Sequence, residues 1–160
     1  MCPAPPVRGP SADDFDHDGP FTGPVVLVEV EVPKGGFVKR LGDGRVDYVS
    51  PLPSPFNYGA IPDTHAADGD RDDVVLLGPR QAAGTRVRSQ VRAVVRFVDA
   101  GDRDDKLVCS PAPLTPADRR LVWGFFVLYA RAKTLLNLAR GRRGPTRVER
   151  WDEPPPAAAS

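Results

Sequence analysis

The chain is poor in cysteine and histidine, with two of each in 160 residues. Cys2 and Cys109 cannot build a disulfide framework. Two Cys and two His without the usual ligand spacings argue against a structural zinc site. No apolar run approaches 18 residues, and no basic-then-apolar leader opens the sequence. That pattern predicts a soluble cytoplasmic protein rather than a secreted or membrane-spanning one. Net charge is nearly absent as well: Lys+Arg 22 against Asp+Glu 21 leaves +1. Such a balance argues against a protein whose main business is non-specific nucleic-acid binding.

Within each sign one residue type is scarce. Arginine outnumbers lysine 18 to 4, and aspartate outnumbers glutamate 17 to 4. Nine of the aspartates fall in the segments 63–73 and 99–105. What the chain has in excess is proline, 19 residues, many of them near the ends. An apolar share of 41% suffices for one core, and the length fits one domain. Residues 1–20 and 152–160 read as disordered tails around a domain at 21–151.

In the segment 24–33, Val28, Val30 and Val32 alternate with Glu29 and Glu31, the pattern of a half-buried strand. A hairpin follows, turning at Gly42-Asp43-Gly44 and returning through Arg45–Ser50. Residues 51–64 are punctuated by proline and hold a short extended piece near 58–61. Strands are predicted after Asp73, at about 86–98 and at 106–110, with a short strand at 146–151. Thr115-Pro116-Ala117-Asp118 has the signs of a helix start, and apolar residues then recur every three to four positions to about residue 140. The expected fold is mainly β, a small barrel with one long C-terminal helix.

Asp68, Asp70, Asp72 and Asp73 form one acidic cluster, and Asp99, Asp102, Asp104 and Asp105 the other. Aspartate favours turns, so two solvated loops would give the same spacing. The competing reading is that the clusters converge on hard divalent cations such as Mg²⁺ or Mn²⁺, which take oxygen ligands. An EF-hand does not fit, because its required glycine position is Asp73. There is no Walker glycine loop. Lys39 and Lys106 are half of the lysines, and Lys106 directly follows an acidic loop. Metal beside lysine is a way to hold a phosphorylated anion.

Five blocks together carry a resemblance. Val30-Glu31-Val32-Pro33, Pro55-Phe56-Asn57-Tyr58-Gly59, Asp68-Gly69-Asp70-Arg71-Asp72-Asp73-Val74, Asp99–Lys106 and Phe125-Phe126-Val127-Leu128-Tyr129 resemble the soluble inorganic pyrophosphatases of family I, in family order. The resemblance implies an OB-like five-stranded barrel that hydrolyses pyrophosphate to two phosphates with several Mg²⁺ ions per subunit. It implies a homo-oligomer, usually a hexamer in bacteria. By position, Glu31, Asp68, Asp73, Asp99 and Asp104 become metal-site carboxylates, and Asp70 the general base. Lys39, Lys106 and Tyr129 become phosphate-binding groups, and Tyr58 orients a carboxylate.

The pattern breaks on the substrate side. Leu41 stands for the family's glutamate, Tyr48 falls near its arginine, Ser54 stands for a tyrosine and Ala130 for a lysine. Arg45 and Lys133 are the candidate substitutes for the missing phosphate ligands. Three functions are weighed: pyrophosphate hydrolysis, metal-dependent chemistry on an organic phosphate or diphosphate, and a non-catalytic homologue. Neither a nucleic-acid nor a membrane partner is expected.

Overall fold

The computed structural model describes residues 23–40, 43–62 and 72–153. Leu41, Asp68, Asp70 and both predicted tails, apart from Asp152 and Glu153, lie outside these residues. The elements in chain order are β1 (Val25–Val32), β2 (Val38–Arg40), β3 (Val46–Val49), β4 (Asn57–Ala60), β5 (Asp73–Leu76), β6 (Arg86–Asp99), β7 (Asp102–Arg103), β8 (Lys106–Ser110), α1 (Pro116–Ala139) and β9 (Arg147–Asp152).

Five strands close on themselves. β1 pairs with β4, β4 with β5, β5 with β8, β8 with β6, and β6 returns to β1. All of these pairings are antiparallel except β5–β8. This is the OB-like barrel the sequence predicts, and closure removes the free edges that short strands would otherwise expose. β6 is long enough to serve four neighbours, β1 and β8 within the barrel and, along its second half, β9 and β7. β2 and β3 form a separate hairpin.

Apolar residues on both faces of the strands make two cores. Val28, Val30, Val74, Leu76, Val94, Leu107 and Cys109 fill the barrel. Val75, Leu77, Val95, Phe97 and Val108 point outward, where Val122, Phe126 and Ala130 of α1 cover them. The unbroken run Val74–Leu77 follows from this, because both faces of β5 are buried. A register shift between Val91 and Ala93 changes the parity of β6, so that Val91 and Val94 both face the barrel interior.

The proline-punctuated segment 55–59 is explained locally. The buried Asn57 amide has all its capacity used. Its oxygen accepts from the backbone N–H of Lys34 (3.1 Å) and Gln81 (2.9 Å), and its nitrogen donates to the carbonyls of Leu76 (3.4 Å) and Pro79 (2.8 Å). Gly59 must be glycine because a Cβ there would lie 2.0 Å from the Glu29 carbonyl oxygen. Tyr58, between them, is left to face outward from the strand toward α1.

α1 starts with a complete capping box. The Thr115 side chain accepts from Asp118 N–H at 3.1 Å, and the Asp118 carboxylate accepts from Thr115 N–H at 2.9 Å. Its inward stripe is Val122, Phe126, Ala130, Lys133 and Asn137. Leu121, Leu128, Leu135 and Leu138 are exposed on the other side of the helix. The stripe turns polar at Lys133 because the helix leaves the core there and passes over a polar cavity. Among the described residues, no helix is long and apolar enough to cross a membrane.

Candidate active site

A cavity of about 240 Å³ lies between the hairpin β2–β3, the starts of β5 and β8, and α1. Lys39, Asp47, Tyr48, Tyr58, Asp73, Asp104, Lys106, Tyr129 and Lys133 supply its polar lining, and Phe37, Phe125 and Phe126 much of the rest. Three of the four lysines in the chain therefore meet in one place.

Strand register does the positioning. Asp73 and Lys106 are partners in the parallel β5–β8 ladder, and Lys39 and Tyr48 are partners in the β2–β3 hairpin. Lys106 Nζ sits 2.6 Å from Asp73 and 2.7 Å from Asp104. Burial opposes its charge, but Asp104 and Asp73 outweigh that and hold the ammonium well above the usual lysine range. For Asp73, too, burial favours the neutral form, yet Lys106 and then Lys39 keep its carboxyl below the ordinary range. Lys39 lies 3.2 Å from Glu31 and 3.7 Å from Asp47. Despite partial burial, these acids and Asp73 raise its pKa.

The tyrosines are fixed by packing. Tyr129 stacks on Phe125 with ring centroids 5.7 Å apart and leans on Phe97 at 6.0 Å. Its hydroxyl is 3.0 Å from that of Tyr48. Burial drives the pKa of both Tyr58 and Tyr129 far up, so each phenol stays neutral and able to donate. Lys133 Nζ donates to the Tyr48 hydroxyl at 3.1 Å and lies 3.5 Å from Asp99.

Of the residues singled out from sequence, Lys39, Asp73, Asp104, Lys106, Tyr58, Tyr129 and Lys133 line the cavity, and Glu31 adjoins it through Lys39. Asp99 does not line it. Its carboxylate accepts from Asn137 (2.7 Å) and is shared between Lys133 and Arg142, both at 3.5 Å. Arg45 is exposed and pairs with Asp43 at 2.6 Å, away from the cavity lining. Asp68 and Asp70 lie outside the described residues. Sequence reasoning did not identify Asp47 or the chemical use of Tyr48. The register of the β2–β3 hairpin, which pairs Lys39 with Tyr48, was the signal that could have placed Tyr48 beside Lys39.

The oxygen-only donor set of Glu31, Asp73 and Asp104 fits a hard divalent cation such as Mg²⁺. Among the described residues no three such side chains gather closely enough to enclose one. Lys106 draws Asp73 and Asp104 toward a common point.

The closed five-stranded barrel thus sets lysines, phenols and carboxylates around one cavity. The inorganic pyrophosphatase family model matches residues 28–121, more than half of the chain. The chain is 37% identical over 102 residues to an inorganic pyrophosphatase of Neisseria meningitidis, covering 59% of this chain and 58% of that protein. It is 38% identical over 96 residues to one of Haemophilus influenzae, covering 55% and 54%. The matched part thus spans less than two thirds of those relatives. The crystal structure of an inorganic pyrophosphatase from Neisseria gonorrhoeae superposes with a TM-score of 0.64 at 30% identity, covering 81% of this chain and 82% of that one. The chain belongs to the inorganic pyrophosphatase family.

Proposed function

We propose that the protein hydrolyses inorganic pyrophosphate to two phosphates in the presence of Mg²⁺. The observation that carries this reading is Lys106 between Asp73 and Asp104 at the cavity, with Lys39 nearby. Lys39, Lys106 and the neutral Tyr129 hydroxyl would bind phosphoryl oxygens and orient the anhydride. Charged hydrogen bonds of this kind are worth roughly 1.5–3 kcal/mol each. Glu31, Asp73 and Asp104 would hold the cations, joined by Asp68. Asp70 would take the proton of the attacking water. When bound, Mg²⁺ lowers the pKa of water and offsets the charge of the leaving phosphate. Tyr58, close to Asp73 and Lys106, would keep that carboxylate oriented.

The reading includes a soluble cytoplasmic location and a homo-oligomer, a hexamer by resemblance. The exposed leucines of α1 support self-association. Size measurement by light scattering tests it, and a monomer at micromolar concentration would refute it.

The functional test is phosphate release by purified protein in Mg²⁺, beside Asp104→Asn. The proposal requires release by the wild type and its loss in the variant.

A further inference from the structure

The family pattern places a lysine after the helix tyrosine, where this chain has Ala130. That position is closed to a long side chain, because Ala130 is buried in the core with Phe126. The next residue on the same inward stripe is Lys133. Building on the pyrophosphate reading, we propose that Lys133 binds a phosphoryl oxygen of the substrate, with Tyr48 and Asp99 as the positioning residues that aim its ammonium into the cavity.

Counting donors supports this. An ammonium has three N–H groups. One goes to the Tyr48 hydroxyl at 3.1 Å and one is directed at Asp99, 3.5 Å away. The third remains on a side chain that lines the cavity and is 7% exposed. A buried ammonium needs compensation. Tyr48 supplies part of it through its ring face, 4.4 Å from Nζ. Asp99 supplies less than a full partner. Its carboxylate is also engaged by Arg142, Asn137 and Thr146. The cavity end of Lys133 thus keeps positive character, which an anion complements.

The phenols extend the arrangement. Because the Tyr48 oxygen accepts from Lys133, its own O–H is available to donate to Tyr129 at 3.0 Å. With Tyr48 as the donor of that pair, Tyr129 would have its O–H left for the cavity. One anion would therefore meet the Lys133 ammonium and the Tyr129 hydroxyl from α1, with Lys39 and Lys106 supplied by the strands.

The test uses Lys133→Met, Lys133→Arg, Asp99→Asn and the Lys133→Met/Asp99→Asn pair. Methionine fills the same volume, and Asp99 keeps Arg142 and Asn137, so the fold should survive. Calorimetry with inorganic phosphate in Mg²⁺ is run beside steady-state hydrolysis. Lys133→Met should weaken phosphate binding and raise KM roughly tenfold or more, with Lys133→Arg losing less. Asp99→Asn should give a smaller loss in phosphate affinity and add nothing in the pair. Wild-type phosphate affinity in folded Lys133→Met would overturn the proposal, as would an Asp99→Asn variant that changes only the Mg²⁺ requirement. Should Lys133→Met not fold, the Lys133→Arg and Asp99→Asn arms decide. If Lys133 governs phosphate binding but pyrophosphate is not hydrolysed, the catalytic reading fails and this one stands.

Discussion

Asp73 and Lys106 face each other across the parallel β5–β8 pairing, and their side chains meet at 2.6 Å. Two strand starts are thereby tied together at the floor of the cavity. The pair has a sign-specific pH consequence. Asp73 titrates below its ordinary value because Lys106 prevails over burial. Its stabilisation is complete above about pH 4 and is lost as pH falls through the lowered folded value. Asp99 and Asp152 act in the same direction. Metal-free protein should keep a constant unfolding free energy from pH 5 to 7 and lose stability below about pH 4. Urea titrations across that range check this, and Asp73→Asn should reduce the slope.

Removing Lys106 leaves two neighbouring carboxylates without their shared cation. Breaking a buried pair costs about 3–5 kcal/mol, and the lower end applies because both acids still touch solvent. Lys106→Met should abolish hydrolysis and lower the Tm of the metal-free protein. Mg²⁺ should then raise Tm more in the variant than in the wild type, since the ion would offset the same repulsion. Thermal scans with and without Mg²⁺ measure both.

Adjacent aspartates have opposite duties. Asp104 faces Lys106, whereas Asp105 accepts from Arg96 (2.9 Å), Arg103 (2.7 Å) and the Phe97 N–H (3.0 Å) in the interior. Asp104→Asn should cut hydrolysis by at least about a hundredfold while the fold is kept, because Lys106 retains Asp73. Asp105→Asn should cost about 3 kcal/mol of stability, because Arg96 and Arg103 would each lose a charged partner. Activity and denaturation curves on both variants separate the two roles.

Gly59 lies where β4 presses on β1. A methyl group there would overlap the Glu29 carbonyl. Gly59→Ala should destabilise by about 3 kcal/mol or more and open the barrel seam. Hydrogen exchange at the β1–β4 amides reads this directly.

Much of this was legible before the structure. Alternation in β1, the hairpin turn and the capping box of α1 each depend on local chemistry, and local chemistry is what a sequence states. The inner face of α1 was not legible. Its apolar period is real, but Lys133 and Asn137 face inward while Leu128, Leu135 and Leu138 face outward. Periodicity ranks faces by hydrophobicity, and a helix lying over a polar cavity reverses that ranking for its second half. Likewise, Asp99 reads as a site carboxylate from its motif, yet it turns toward Asn137 and Arg142. The residues that redirect it lie more than 35 positions downstream and belong to no motif. Arg45 was a candidate substitute for a missing phosphate ligand, but Asp43 two residues away engages it.

The central claim is that this cavity hydrolyses pyrophosphate. Its most direct measurement is phosphate released from pyrophosphate by the purified, folded protein in Mg²⁺, with Asp104→Asn alongside. Two phosphates per pyrophosphate are expected, with release that stops on chelation and is lost in folded Asp104→Asn. No release by folded wild-type protein in Mg²⁺, or full release by Asp104→Asn, would contradict it.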